Sequence, residues 1–445
     1  MGCVKRLVLL AFCATVLVVS NAQGKEVIDL QDAIEMALKN SPVLQASRSD
    51  LKASTHGVKA EKGQLLPQIT GYADYSRKSD PVVVVPIKEF GGRPPNFSRD
   101  QYAAGVRVLI PVYEGGRLRA RITAAKLQEE IAQRQLSFTR QDLIANVTNV
   151  FYQILYLKEL ITANDKTLNA LKKAREDASV KLKIGRIAPV DLMRMDTQVA
   201  SQEQALINAK EEKQRALNTL CLLIGWQESA LPQIKGQLKK EPAETAGINN
   251  VHTLVDMALK QRPDILASEA AVKKAKADLR YAKGGHLPSL DLVGDYSRHA
   301  GSGLKYDEEV WTGGVAVTMN IFSGGTISAK VQQAASKLQA AERRLQNQRL
   351  KVRKEVLDAI SRIREARHLH RVARTTVDTA KETYRIEKLK YESGAGSITD
   401  MLLAQAQWQN ALANEVSARF LIQKAGVELR LALGLMDVKE DNQIE

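Results

Sequence analysis

Apolar side chains recur every three or four positions along two long stretches of the chain, residues 117–184 and 326–393. This spacing indicates an α-helix with one apolar stripe, and neither stretch contains a proline. Each stretch is 68 residues long. At a rise of ~1.5 Å per residue, each predicts a rod of about 100 Å. Helices of this length bury their stripe against other helices, as coiled coils do.

Both long stretches end at a glycine, Gly185 or Gly394, a residue type that suits the C-terminal cap of a helix. A short turn follows, and a second helical pattern begins at Asp191 or Asp400, as expected for a helix N-terminus. The pattern therefore predicts two helical hairpins with short return helices, which two further short helices extend by stacking end to end. The short and return helices are predicted at 43–65, 191–224, 265–283 and 400–433.

Four segments of about ten residues alternate apolar and polar side chains, as membrane-spanning β-strands do. The apolar side of each predicted strand suits lipid, and the polar side suits a wet lumen. The alternative is a water-soluble sheet with half-buried strands. The strands are predicted at 68–77, 102–111, 289–298 and 311–320, and one aromatic residue stands on the apolar side near the loop end of each: Tyr75, Tyr102, Tyr296 and Trp311.

The sequence is duplicated. The motif at 37–42 recurs at 258–263, an offset of 263 − 42 = 221, and Gly115-Gly116 recurs as Gly324-Gly325, an offset of 324 − 115 = 209. The difference, 221 − 209 = 12, counts extra residues in the first copy between Ser76 and Gly115. Two equivalent structural units are therefore expected in one chain. The repeats are predicted at 23–235 and 251–445, with a connector at 236–250.

The N-terminus has the pattern of a secretory signal peptide at residues 1–22. Lys5-Arg6 precedes an apolar core, and Ser20-Asn21-Ala22 forms a cleavage site with small residues. The alternative, a retained membrane anchor, is disfavoured because the apolar stretch is short. Removal of the signal leaves Cys221 as the one cysteine, so the exported chain is expected to have no internal disulfide.

The formal net charge of +15 raises nucleic acid as a partner, but export argues against it. The basic residues are interleaved with acidic ones along the helical patterns, which favours solvated faces. Beyond residue 22 no stretch has the ~20 apolar residues of a transmembrane helix. A chain of this kind that crosses a membrane does so as a closed β-barrel. Four strands are too few to close one, so several chains are expected to assemble.

These motifs resemble those of the TolC-like outer membrane efflux protein family over about residues 27–435. The resemblance rests on Gly285-His286-Leu287-Pro288, on 110–116 with its counterpart 321–325, and on 391–394 followed by Asp400-Met401-Leu402. It implies a mainly α-helical fold in which antiparallel hairpins form an α-barrel in the periplasm. It also implies a homotrimer with a β-barrel of four transmembrane strands per chain in outer membrane lipid, and exposed loops at 78–101 and 299–310.

The same resemblance implies that the two hairpin turns form a periplasmic gate, with Asp191, Tyr391 and Asp400 at the matching gate positions. The turns, at Gly185, Arg186, Gly394 and Gly396, would also dock the periplasmic adaptor of an inner-membrane pump. Two positions depart from the family pattern, because a basic gate residue falls on Gly396 and an acidic one on Leu403. Arg186 and Arg194 are the nearby candidates to replace the basic group. The simpler role of Asp191 and Asp400 is helix N-capping.

Two other classes of protein are alternatives to an outer membrane duct. An enzyme is not expected, because the sequence has no nucleotide-binding loop or catalytic motif, and no cofactor or metal site is predicted. A soluble periplasmic coiled-coil scaffold or adaptor would share the signal and the helices, but it would not need four strands with aromatic tips. The predicted function is a passive exit duct, and drug efflux, metal efflux and type I protein secretion are all compatible with it.

Overall fold

The computed structural model describes residues 27–85, 96–227, 231–238, 250–304 and 308–436. The predicted signal peptide, most of the predicted connector and the inner parts of both predicted exposed loops lie outside these residues. The signal and the connector therefore stay predictions.

The described chain contains two similar sets of four α-helices. Proline stands at the first helical position of three of them, where its missing N–H costs nothing. The six predicted helices are confirmed, with ends within two residues of the predicted ones. The helices are α1 Leu30–Asn40, α2 Pro42–Gly63, α3 Arg117–Lys183, α4 Pro189–Ile224, α5 Val251–Gln261, α6 Pro263–Gly284, α7 Thr326–Glu392 and α8 Ile398–Leu433.

Helices α1 and α5 were not predicted. Each has 11 residues, and each is followed directly by the next helix through a residue in extended backbone, Ser41 or Arg262. An apolar pattern of three turns is too short to separate from its neighbour by periodicity alone. A capping box between Asp29 and Asp32 starts α1, in which each side chain accepts from the backbone N–H of the other.

The four predicted strands form one antiparallel sheet in the order β2 (Gln68–Val83), β3 (Phe97–Glu114), β5 (Ser289–Ala300) and β6 (Glu308–Thr318). All four are longer than the ten residues predicted for each, most of all β2 with 16 residues and β3 with 18. Pairing resumes beyond Arg77 after a register shift, which carries the strands past Pro81. Strand β6 ends at Thr318, two residues early. The strands are β1 Val27–Ile28, β2 Gln68–Val83, β3 Phe97–Glu114, β4 Gln233–Ile234, β5 Ser289–Ala300 and β6 Glu308–Thr318, and β1 pairs with β4 in a separate parallel ladder.

The other helices pack along the two long helices, α3 and α7. Helix α3 packs against α4 and α8 toward the hairpin turns and against α2 and α6 toward the sheet, while α7 packs against α8 and α6. The predicted end-to-end stacking is observed, because Gly225 after α4 meets Asn40 just before α2, and Gly434 after α8 meets Arg262 just before α6. Two short helices thus continue the two return helices up to the sheet.

Three apolar clusters hold these helices together. The largest joins α1, β4 and the middle of α3, a second joins α5, α7 and α8, and a third lies near the hairpin turns. Within the described ranges, no helix is both long enough and apolar enough to span a bilayer.

Candidate functional site

The two hairpin turns lie at the end of the helical part opposite to the sheet, and they have the same backbone form. Gly185 and Gly394 have φ of +70° and +78°, the left-handed region that glycine adopts without strain. The N–H groups of Arg186 and Ala395 donate to the carbonyls of Lys181 and Lys390 at 2.8 and 2.9 Å. This geometry agrees with the predicted glycine caps.

An apolar cluster packs the two hairpins together close to their turns. Its members from the first hairpin include Leu171 and Met195, and those from the second include Ile398 and Met401. The cluster brings the end of α7 next to the start of α4. Two of the predicted gate residues, Asp191 and Tyr391, are therefore neighbours although they are 200 positions apart in sequence.

Arg194 connects the two hairpins through polar contacts. Its Nη1 lies 3.4 Å from Asp191 Oδ1 and donates to Thr399 Oγ1 at 2.8 Å. The side chain of Asp191 is 23% exposed and that of Arg194 is 50% exposed, so water screens the pair. A bridge of this exposure contributes roughly 0.2–1 kcal/mol. Both residues of this bridge belong to α4, so the bridge positions Arg194, and the hydrogen bond to Thr399 is the contact that joins the two hairpins.

Tyr391 is half-buried beside this bridge. Burial raises the pKa of its phenol, and the nearby charge of Asp191 raises it further. The ammonium of Lys181 lies 4.7 Å from the centre of the ring, within range of a cation–π contact. Lys181 and Tyr391 belong to different hairpins, so this is a second polar link across the tip.

Asp400 lies apart from this group, on an exposed part of the tip. Its Oδ2 accepts from Ser397 Oγ at 2.8 Å, and its backbone N–H donates to the same hydroxyl. Ser397 is the N-cap of α8, and Ala188 is that of α4. The interpretation of Asp191 and Asp400 as N-caps is therefore wrong, because both helices begin earlier and both aspartates stand in their first turn.

A steric constraint accounts for glycine at position 396, where the family pattern has a basic gate residue. A Cβ at this position would lie 2.8 Å from Lys390 Cβ, so the turn has no room for a side chain. Arg194, one of the two replacements named from the sequence, makes a polar contact between the hairpins, whereas Arg186 is exposed at the turn. Thr399 and Lys181 were missed, because only the packing of one hairpin on the other places them here.

The four predicted interface aromatics form two pairs on the sheet. Tyr75 stands opposite Tyr102 with ring centres 4.8 Å apart, and Tyr296 stands opposite Trp311. The pairs differ in level, since Tyr102 pairs with Ala300 whereas Tyr296 pairs with Val106, four residues further along β3. The first pair also lies well inside its strands rather than beside the loop, because β2 and β3 are longer than predicted.

On the opposite face of the sheet, three polar side chains contact one another. Tyr72 Oη donates to Asp295 Oδ1 at 2.8 Å, and Arg107 Nε donates to Asp295 Oδ2 at 3.3 Å. The Arg107 guanidinium also lies 5.1 Å from the centre of the Tyr72 ring. This face therefore carries charge, as the predicted lumen side requires.

The chain is similar to known proteins over nearly its whole length. A family model described as outer membrane efflux protein matches residues 33–226 and 254–435. Outer membrane protein TolC of Escherichia coli (strain K12) is 21% identical over 430 residues, which cover 93% of this chain and 83% of TolC. Proteases secretion protein PrtF of Dickeya chrysanthemi is 21% identical over 440 residues, which cover 98% of this chain and 94% of PrtF.

A solved structure agrees with the architecture described above. The CmeC outer membrane channel of Campylobacter jejuni superposes with a TM-score of 0.76 at 20% identity, over 93% of this chain and 87% of that chain. The fold is therefore that of an outer membrane channel.

Proposed function

Because the chain belongs to the outer membrane efflux protein family, we infer that it is the outer membrane exit duct of an efflux or type I secretion system. It resides in the outer membrane, and its helical part extends into the periplasm. The duct is passive, since an inner-membrane pump supplies the energy. No catalytic step or cofactor is required of the chain itself.

The membrane part is a β-barrel closed by three copies, with four strands from each. The support for this proposal is the sheet itself, in which β2 and β6 lie at open edges. Its apolar face is exposed in the single chain, with Ile69 at 70%, Val315 at 63% and Val317 at 69%. Lipid covers such a face, and only closure satisfies the edge backbone groups in a bilayer. The two aromatic pairs, Tyr75 with Tyr102 and Tyr296 with Trp311, stay the proposed interface anchors, at two different levels of the sheet.

Each chain contributes two repeats, 23–235 and 251–445, joined by the connector at 236–250. The similar sets of four helices support this division. The helical hairpins of three copies form the α-barrel, and the turns at Gly185, Arg186, Gly394 and Gly396 dock the periplasmic adaptor. All four residues lie at the far tip of the hairpins, and Arg186 is exposed there.

The gate is the contact between the two hairpins at this tip. Arg194 is its central residue, because it touches Asp191 in its own hairpin and Thr399 in the other. Tyr391 contributes the second link, through Lys181. Asp400 is exposed near the entrance, where its charge acts on passing cargo rather than on the lock. Separation of the hairpins opens the tip.

The current through a planar bilayer tests this gate. Arg194→Ala removes the hydrogen bond to Thr399 of the other hairpin, so it is expected to raise the closed-state current by about two- to fivefold, as loss of roughly 0.5–1 kcal/mol implies. Asp191→Ala removes only the partner of Arg194 within α4, so it is expected to raise the current less. Arg175→Ala is the matched control, because Arg175 pairs with Asp196 at 2.6 Å within one hairpin. An unchanged current in both bridge variants, or an equal rise in the control, would reject the gating role.

A further inference from the structure

A cavity lies between the two hairpins, on the sheet side of the apolar cluster near their turns. Its volume is about 700 Å³, within the range of pockets that enclose a drug-sized molecule. It is lined by α3 of the first repeat, by α7 and α8 of the second, and by the residues that follow β4. Leu155 and Val416 of the lining belong to the largest apolar cluster, and Ala170 precedes Leu171 of the cluster near the turns. The cavity therefore separates two apolar contacts between the hairpins.

The wall of this cavity contains a buried amide without a partner. Gln405 is 5% exposed, and its side chain makes no hydrogen bond to any described residue. In the same wall, Trp408 Nε1 and Gln409 Nε2 also have no acceptor among the described residues. Buried polar groups normally have partners, because an unsatisfied group loses its hydration without compensation. A ligand with polar atoms would supply the missing partner of Gln405.

The first repeat fills the corresponding positions with an ion pair. By the offset of 209, Tyr384 corresponds to Arg175, and Gln405 corresponds to Asp196. Arg175 Nε lies 2.6 Å from Asp196 Oδ1, so these two side chains satisfy each other. The hairpin fold therefore does not require an aromatic residue and an unpartnered amide at these positions, and a ligand accounts for their presence in the second repeat.

The charges around the cavity favour an anion. The lining includes three positively charged residues and one negatively charged residue: Lys158, Lys166, Arg419 and Glu159. Arg419 donates to Glu159 at 2.6 Å and lies 2.8 Å from Glu415, so its charge is already compensated. Lys158 and Lys166 are exposed, and their ammonium groups attract an anion that enters the cavity.

Another part of the wall suits a flat apolar ring. Tyr384 and Trp408 line the cavity with their rings stacked, 5.4 Å between centres and 18° between planes. Aromatic rings pack favourably against such a stack in offset or tilted arrangements. We propose that the cavity binds an organic anion with a flat apolar ring. The two lysines and the Gln405 amide hold its charged group, and the aromatic wall packs against its ring.

A bound ligand holds the two hairpins together. It contacts α3 of the first hairpin and α8 of the second, so its contacts are lost when the hairpins separate. A ligand that binds one of two arrangements more tightly shifts the equilibrium toward that arrangement. The ligand therefore favours the closed tip. This consequence rests on the proposed function, whereas the binding site itself does not.

Calorimetric titration of the full chain in lipid nanodiscs tests the site, with 2-naphthoate as the probe and empty nanodiscs as the blank. The neutral analogue of similar shape, 2-naphthamide, is expected to bind about tenfold more weakly, because it lacks the charge that the lysines attract. Equal affinity of the two probes would overturn the preference for an anion. Absence of saturable 2-naphthoate binding would overturn the site.

Matched substitutions in α8 locate the binding. Gln405→Glu puts a negative charge in the wall, so the affinity for 2-naphthoate is expected to fall about tenfold or more. Gln407→Glu makes the same change at an exposed position outside the lining and is expected to change the affinity less than about twofold. Gln405→Leu removes the amide without adding a charge, and a loss of about fivefold is expected even if Gln405→Glu fails to fold. Unchanged affinity in Gln405→Leu would overturn the role of the amide.

The current through a planar bilayer separates the site from the duct. At ten times its dissociation constant, a probe that binds only the closed arrangement lowers the open fraction about tenfold. We expect 2-naphthoate to lower the closed-state current of the parent chain but not that of Gln405→Glu. Saturable binding with no effect on the current would overturn the consequence for the gate. Binding by a chain that carries no current would reject the proposed function, and current without binding would reject the site.

Discussion

In the first repeat, α2 continues from α4 through a junction of apolar side chains, whereas in the second repeat the junction between α8 and α6 adds a buried arginine to a similar apolar core. Leu44 and Ile224 are each 1% exposed in the first junction. In the second junction, Arg262 occupies the position that Ser41 holds in the first, by the offset of 221. The backbone arrangement is the same, and its chemistry is not.

The arginine of the second junction has three partners. Its guanidinium bonds to both carboxylate oxygens of Asp264, at 2.8 and 3.1 Å, and to Glu355 at 2.6 Å. It also donates to the Ala432 carbonyl, one of the last carbonyls of α8. The guanidinium of Arg262 thus hydrogen-bonds both to a carbonyl at the end of α8 and to Asp264 in the first turn of α6. The positions of the first repeat that correspond to Arg262, Asp264, Glu355 and Gln348 carry uncharged residues, namely Ser41, Val43, Asn146 and Thr139.

The fold therefore constrains the shape of a junction more tightly than its composition. The first junction has additional cover from strands β1 and β4, which contribute Ile28 and Ile234 to its cluster. The second junction also buries apolar side chains, Ile265 and Leu433, at the positions of Leu44 and Ile224, and it adds a polar network that is strong only while it is complete. The first junction should therefore tolerate polar changes that the second does not.

The largest effect is expected from Arg262→Met. The substitution keeps a long side chain but leaves Asp264, which is 13% exposed, without its cation. We expect a loss of about 3 kcal/mol, the low end for breaking a buried pair, because Glu355 is half-exposed and can rehydrate. Denaturant unfolding of the detergent-solubilised protein, followed by circular dichroism, measures it.

Ser41→Ala is the matched change in the first junction. Ser41 is buried, but its hydroxyl has no capping bond, so we expect a loss below about 1 kcal/mol. Equal losses for the two variants would show that the two junctions do not differ in the way their chemistry suggests.

The two junctions should also differ in how their contribution to stability changes as the pH is lowered. Burial tends to raise the pKa of Asp264, but the hydrogen bonds and charge of Arg262, with bonds from Gln348 and the Ile265 N–H, hold the pKa below its ordinary value of 3.8. A carboxyl with a depressed pKa stabilises the fold above its unfolded pKa, and that contribution is lost as the pH falls through the folded pKa.

The test is Asp264→Asn, measured across pH. At neutral pH the variant is expected to be less stable than the parent, and the gap is expected to shrink as the pH falls below about 4. A gap that stays constant down to about pH 2 would contradict the role of the ionised carboxylate.

Sequence periodicity predicted the long helices because their apolar stripes repeat over many turns, and it predicted the strands because alternation distinguishes them clearly. It missed α1 and α5, whose 11 residues offer little pattern. It also ended β2 at Arg77, since the residues up to Pro81 break the alternation that the register shift restores.

The contacts at the tip show the same difference between residues that are close in sequence and residues that are far apart in it. Asp191 and Arg194 are one helical turn apart, so their contact could be predicted from the sequence. The contact of Arg194 with Thr399 joins residues 205 positions apart and depends on how two hairpins pack. No periodicity encodes that packing.

The smallest effect concerns the helix starts at the tip, where the repeats differ again. The N-cap of α8 is Ser397, whose hydroxyl accepts from the Asp400 N–H, whereas the N-cap of α4 is Ala188, followed by a proline at the first helical position. Ser397→Ala gives α8 the same N-cap residue as α4, but without the proline that follows Ala188 in α4. We expect a local loss of about 1 kcal/mol, typical of a lost cap.

Hydrogen exchange at the Asp400 amide measures this loss directly, because the amide loses its acceptor. A loss of about 1 kcal/mol corresponds to roughly fivefold faster exchange if the first turn of α8 opens locally. Ala188→Ser is the reciprocal variant, and it is expected to leave the Asp191 amide nearly unchanged, since that amide already donates to the Ala188 carbonyl at 3.0 Å. Unchanged exchange at Asp400 would mean that packing of α8 against the tip cluster, rather than its cap, holds the first turn. The two repeats would then differ at their tips in sequence but not in energetics.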